Sequence, residues 1–338
     1  NSYKDGRIGG NIYFLNPHGV LIGKSGAVNV GRLSLVTPTH RFMSDIFGPG
    51  NVISQPHLTR ILENDVPLST TGLVTVKGRV NAVNGMSVRA TNIALSGAAV
   101  TGEQARVSIA DIVNIDPAVA PIDIVDLDTA PAAIDLFAEN DVTVAGTVSV
   151  DGSGARDAGS VALRAGGNIT LSDGADVSAD ATGGGDGGDV YIMAEDRSQL
   201  NQGARVSANA SSGDAGFVEF SARGTVELAG GKLSASSVSG TNGQILIDPE
   251  NIIISSDLLR DTSGDGGASD GAGTSWNAGS LTLEADNNIT ISANRTVSSR
   301  VVSSAADASA HRNDLSVGDS GDITLTAQSI TLQDDAMV

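Results

Sequence analysis

Nine residues in the middle of the chain carry the most recognisable chemistry. Gly184, Gly185, Asp186, Gly187, Gly188, Asp189, Val190, Tyr191 and Ile192 match the nonapeptide of calcium-binding β-rolls. In such rolls, carboxylates and backbone carbonyls on adjacent turns surround the ion, so the site needs tandem copies. This chain has one good copy. Asp186 and Asp189 are therefore candidate calcium ligands, with a plain surface loop as the competing reading. A second loop, 263–276, adds Asp265 and Asp270 without repeating the motif and ends on Trp276, the one tryptophan. An indole in a polar loop can stack on the face of a sugar ring while its N–H bonds a hydroxyl. Trp276, Asp265 and Asp270 are thus candidate glycan-binding residues, unless the indole folds back onto the wall of the domain.

Other patterns fail on spacing. Gly19, Gly23, Lys24 and Ser25 suggest a phosphate loop, but only three residues separate the glycines, His18 stands where the first glycine belongs, and no helical pattern follows Lys24. The histidines at 18, 40, 57 and 311 show no metal-binding spacing, and neither HExxH nor GxSxG occurs. No catalytic pair stands out among the aspartates, and the chain is expected to be non-enzymatic. Asn168 and Asn288 begin Asn-Ile-Thr triplets, which read as turn residues before strands rather than as glycosylation sites.

The elements that must position these residues announce themselves by repetition. A glycine followed by two alternating apolar runs begins at Gly159, Gly188, Gly216, Gly243, Gly279 and Gly321. The first four starts lie 29, 28 and 27 residues apart, and the next gaps, 36 and 42, read as the same unit with insertions. Periods of this size mark a solenoid. Val161 and Leu163, then Ile169 and Leu171, alternate with period two, which is the signature of strands.

Composition agrees. Forty-two glycines with scattered Asn, Asp and Ser supply turns, while slim Val, Ile, Leu and Ala supply a stackable core and aromatics reach only 3%. A net charge of −19 makes nucleic acid or an anionic membrane surface a poor partner. The chain has no cysteine, so disulfides and thiolate chemistry are excluded. No apolar run is long enough for a membrane-spanning helix, and no membrane insertion is expected.

Three regions follow. Residues 1–115 contain short strands interrupted at 38–66, where Pro56 and the Leu58, Ile61, Leu62 spacing predict a short helical excursion. Residues 116–141, rich in Pro, Ala and Asp, are a candidate junction, and 142–338 hold the regular repeats with loop insertions. The chain opens on Asn1 without an initiator Met or signal segment and stops at Val338 just after a strand-like run, so it is expected to be part of a longer protein.

Asn16, Pro17, His18, Gly19 and Val20, preceded by Gly10 to Leu15, resemble the NPNGI-type signature in the secretion domain of two-partner secretion exoproteins, the filamentous haemagglutinin-like adhesins. Val30 to Val36, Arg41 to Asp45 and the ILIDPENIII phrase at 245–254 are similar to stretches common in that family; His18 stands where the family has a second Asn. The resemblance implies a right-handed parallel β-helix and a folding and secretion motif at Asn16, Pro17, His18 and Gly19. It also implies export through a dedicated outer-membrane transporter to the surface of a Gram-negative bacterium. A chain threaded unfolded through a pore gains from having no cysteine. Adhesion to cells, matrix or host through an exopolysaccharide or cell-surface glycan is the implied function. The alternatives are a β-helical polysaccharide lyase or hydrolase, or the delivery arm of a cytolysin or haem-acquisition exoprotein. At about 20–28 residues per coil, the sequence predicts about 12–16 coils and a rod of about 60–75 Å.

Overall fold

The computed structural model describes residues 3–4, 7–48, 50, 52–100, 132–260, 274–278, 280–295, 297–301 and 322–338. The last two repeats form both of their strands, Ser280–Glu284 with Asn288–Ile291 and Asp322–Thr326 with Ser329–Leu332. Their opening Gly279 and Gly321, most of the 116–141 stretch, the break near 303–320 with His311, and Asp265 and Asp270 lie outside the described residues.

The chain winds into a parallel β-helix of three ten-stranded sheets, all parallel within each sheet. The fifth rung shows how sequence sets the path. Sheet I takes Ser160–Ala165, the pair Gly166 and Gly167 turns the chain, and sheet II takes Asn168–Leu171. A four-residue corner leads to sheet III at Asp176–Ser178, and a longer corner returns to sheet I at Asp189. Alternation puts Val161, Leu163, Ile169, Leu171 and Val177 inside, all fully buried. Parallel register stacks like on like: Val161 lies between Ile134 and Val190, and Ile169 between Val142 and Ser198. Ser198 is the polar exception in that inner column, and its hydroxyl donates to the Ser221 carbonyl at 2.7 Å.

The described sheets are ten strands deep, fewer than the 12–16 coils that length suggests. Regular rungs use nearly 30 residues, and the excursion and the loop insertions take chain without adding rungs. Ten rungs at about 4.8 Å give a stack of about 45 Å. The described end of the 116–141 stretch is not a junction but a rung: Ala133–Ala138 is a sheet I strand that pairs directly with Met86–Ala90.

The excursion between sheets I and II of the second rung forms two helices, α1 at His40–Asp45 and α2 at Gln55–Leu62. Thr39 caps α1, its hydroxyl accepting the Phe42 amide, and Pro56 sits in the first turn of α2. The neck is closed by antiparallel bonds, Thr39 N–H to the Pro67 carbonyl and Ser69 N–H to the Thr37 carbonyl. Phe42, Ile46, Ile61 and Val66 form a second core against Val36, Tyr13 and Leu15. The helices therefore lie on the outer face of sheet I over the first two rungs.

The repeating glycine has a steric cause. A Cβ on Gly188, Gly216 or Gly243 would overlap the carbonyl oxygen of Gly159, Gly188 or Gly216 respectively, because the long corner passes directly over the one below. Along the same corners polar side chains form two rung-to-rung ladders. Asp151 Oδ1 accepts the Asp180 amide at 2.8 Å, Asp180 Oδ1 the Asn209 amide at 2.6 Å, and Asn209 Oδ1 the Ser236 amide at 3.0 Å. Alongside runs Asp157 to the Asp186 amide at 2.9 Å, Asp186 to the Asp214 amide at 2.8 Å, and Asp214 to the Thr241 amide at 2.7 Å. Burial pushes the Asp180 carboxyl up to about 6; the Asn209 amide and the Ser207 hydroxyl work against that rise, and the Asp151 charge adds to it.

Two measurements test this stacking. Gly188→Ala is expected to lower stability by about 3 kcal/mol, since neither backbone at the contact can yield, and urea denaturation reads the loss. For Asp180, between about pH 4, the ordinary carboxylate range, and about 6 the folded chain keeps a proton that the unfolded chain has released. Stability therefore falls as pH rises through that window. Asp180→Asn, which places at this rung the residue that Asn209 supplies in the next, is expected to stabilise at pH 7 by on the order of 1–3 kcal/mol. It should have little effect at pH 4, and equal effects at both values would show that the charge is not what matters.

Candidate functional site

The Asn16–Gly19 turn is the short corner between sheets I and II in the first rung. Asn16 Oδ1 accepts the His18 amide at 3.1 Å and its carbonyl accepts the Gly19 amide at 3.1 Å, while its own amide donates to the Val36 carbonyl of the rung above. Pro17 is buried and presets the turn, and Gly19 takes a φ of +113°. A Cβ on Gly19 would overlap the carbonyl oxygen of Leu73, where the chain re-enters sheet II after the excursion. The His18 ring meets His40, the first residue of α1, edge to face at 4.7 Å. The turn thus sits at the meeting point of the first rung, the second rung and the excursion, a placement suited to coil initiation.

Asp186 and Asp189 stand where the long corner enters sheet I, Asp189 as the first residue of the strand Asp189–Ala194. Asp186 spends Oδ1 on the Asp214 amide, and its own amide is bonded to Asp157. Asp189 starts a sheet I strand, in register with Ser160 and Phe217. Among the described residues no group of three or more His, Asp or Glu is placed to hold a metal ion. The nonapeptide spans a corner of the solenoid and the start of the sheet I strand Asp189–Ala194, and the stacked backbone leaves no room for a Cβ at Gly185, Gly187 or Gly188. Trp276 falls on a strand, Thr274–Ala278 in sheet III, rather than in a loop. It is in register with Leu233, which is fully buried, and with Arg260. That strand is inserted between the sheet III strands 231–235 and 258–260. Asp265 and Asp270 lie outside the described residues, so the structure does not join them to Trp276.

One group of residues that sequence reasoning missed lies on the outer face of sheet I beyond the helices. Phe137 and Arg164 are stacked in neighbouring rungs, with Arg89 below Phe137 and Met193 above Arg164. The Arg89 guanidinium lies 4.6 Å from the Phe137 ring centre, a cation–π contact. Arg164 Nη1 donates to Asp135 Oδ1 at 2.6 Å. In the adjoining column Tyr191 follows Ala162, and its ring is tilted 52° against Phe217 with 5.8 Å between centres. Burial raises the Tyr191 hydroxyl above its ordinary range, with the Asp189 and Glu219 charges adding to it. Burial likewise raises Glu219, opposed by a Ser221 hydrogen bond and reinforced by Asp248. In a chain with 3% aromatics, three rings within four rungs of one face is a concentration. Aligning the repeats on their glycines stacks Ala162, Tyr191 and Glu219, and Arg164 over Met193, which is the signal that could have found this face.

Gly19→Ala tests the role of the first corner. Positive φ and the Leu73 carbonyl both exclude a side chain, so the variant is expected to cleave within 37–72 at a protease concentration that leaves the parent intact. A half-buried outward change on sheet II, Thr170→Ala, should not do so. Equal resistance of Gly19→Ala and the parent would show that the corner does not hold the excursion.

No family model matches this chain, nor does any curated protein; its own residues and their geometry are what bear on function.

Proposed function

We propose that this chain belongs to a secreted, non-enzymatic β-helical adhesin of the two-partner secretion type, which attaches to cells, matrix or host by binding glycan. The observation that carries the reading is the Asn16–Gly19 corner at the start of an all-parallel coil, joined to a two-helix excursion. A corner that orders the first rung against the second favours coil growth from that end, which suits a chain emerging unfolded from an outer-membrane transporter. Absence of cysteine suits the same route. A rod with a fixed inner column and a variable outer surface suits attachment, because outer residues change without disturbing the stack. No described helix is long and apolar enough to cross a membrane.

A β-helical polysaccharide hydrolase is the second reading. Glu219, raised by burial and neighbouring Asp248, is the feature that favours it, since general acids need such a shift.

Purified chain is to be applied to surfaces coated with dextran, galactomannan or alginate, with calcium or with a chelator. Saturable retention on at least one polysaccharide, unchanged by chelation and without release of reducing ends, is the expected result. Retention on none overturns glycan attachment, and release of reducing ends transfers the chain to the second reading. Trp276→Ala in the same assay is expected to bind like the parent; loss of binding would locate the site on sheet III at the strand Thr274–Ala278.

A further inference from the structure

We infer that the outer face of sheet I between the third and seventh rungs is a binding site for a neutral, hydroxyl-rich polysaccharide, with Phe137 and Tyr191 as stacking platforms and Arg164 with Asp135 as the polar contact between them. The inference rests on the glycan-attachment reading above and gives it a place and a ligand class.

Three features of this face select a saccharide. The first is an ion pair set between aromatic rings. Phe137 and Tyr191 lie two rungs apart, about 10 Å along the rod, and between them come Ala162 and the Arg164–Asp135 pair. A lipid chain or an apolar peptide face laid here would strip water from that pair without replacing its hydrogen bonds, which is costly. A sugar ring presents C–H groups on its face and hydroxyls at its rim, so one ligand satisfies both kinds of surface.

The second feature is preorganisation. Arg89 is held against the Phe137 ring, Tyr191 leans on Phe217, and Arg164 is bonded to Asp135. The contacting groups are fixed before a ligand arrives, which lowers the ordering cost of binding. Each sits on a strand of a stacked sheet rather than on a loop, and Ala162 keeps the centre low.

The third feature is charge. Two arginines on this face are outnumbered by Asp135, Asp189 and Glu219, and the whole chain carries −19. Arg164 is already paired with Asp135 and Arg89 lies on the Phe137 ring, and the surrounding acidic field repels a polyuronate. A neutral polymer meets no such penalty. Nucleic acid is excluded on the same ground.

The helices show how the chain treats this face elsewhere. Over the first two rungs Tyr13, Leu15 and Val36, which occupy the same outward rows, are packed under Phe42 and Ile46. In the fourth to seventh rungs Phe137, Tyr191, Met193 and Phe217 stay partly exposed.

The test is affinity electrophoresis of the folded chain in gels containing dextran, galactomannan or alginate. The expected result is retardation by at least one neutral polymer and none by alginate. Phe137→Ala with Tyr191→Ala should weaken binding at least about tenfold. Ala162→Gln, which adds bulk at the low centre and removes no packed side chain, should do the same, while Thr170→Ala on sheet II binds like the parent. Matching circular dichroism across the set separates a lost site from a lost fold. Retardation by a neutral polymer that survives both the double variant and Ala162→Gln overturns the site and leaves glycan attachment standing. Preference for alginate overturns the ligand class, and no retardation by any polymer overturns site and attachment together.

Discussion

Parallel stacking at a fixed rung height is the constraint from which the rest of the structure follows. Every residue has the equivalent residue of the next rung directly above it, about 4.8 Å away. A position therefore has to suit its own copies as well as its neighbours in sequence. Inside, Val161, Val190 and Val218 form one continuous column, and Leu163 with Ile192 another. At the long corners the same demand removes side chains altogether, because Gly159, Gly188, Gly216 and Gly243 pass backbone over backbone. The phrase in the sequence that begins with glycine is the trace of that contact.

Stacking treats charge less kindly. Like charges in register repel at every rung, yet Asp151 lies below Asp180, and Asp157, Asp186 and Asp214 follow one another. What makes these rows tolerable is that each carboxylate faces the amide of the next rung rather than the next carboxylate. In the exposed row this suffices: the Thr241 amide and hydroxyl lower the Asp214 carboxyl below its ordinary range. In the buried row desolvation prevails at Asp180, and the chain places Asn209 at the following step. An acidic solenoid can thus carry its charge in the corners so long as backbone donors outnumber buried anions.

Inward positions were legible in the sequence because their period is two within a strand and nearly constant between rungs; Val161, Leu163, Ile169 and Leu171 were placed correctly by alternation alone. The helical excursion was legible from Pro56 and the Leu58, Ile61, Leu62 spacing. Coil count was not, since nothing in composition separates chain spent on rungs from chain spent on excursions. Trp276 was placed at the end of a loop because glycine and aspartate precede it, whereas strand pairing with 231–235 extends sheet III through it. Asp186 matches a metal motif because glycine-rich corners and calcium corners share a composition; in this structure its Oδ1 accepts the Asp214 amide of the next rung.

The outer face of sheet I was the least legible part, for a physical reason. Inner columns are forced to repeat, but outward residues meet solvent and need not. Arg89, Phe137, Arg164 and Met193 share a row without sharing a chemical type, so no periodicity advertises them. That freedom is also why such a face can specialise. Over the first two rungs it is apolar and takes the helices, while farther along aromatic rings flank an ion pair on the same lattice. A solenoid fixes the spacing of its surface groups through its core, and the outer residues inherit that spacing without contributing to it. Chemistry that departs from the repeat, on a frame that cannot, is where a rod of this kind has room for recognition.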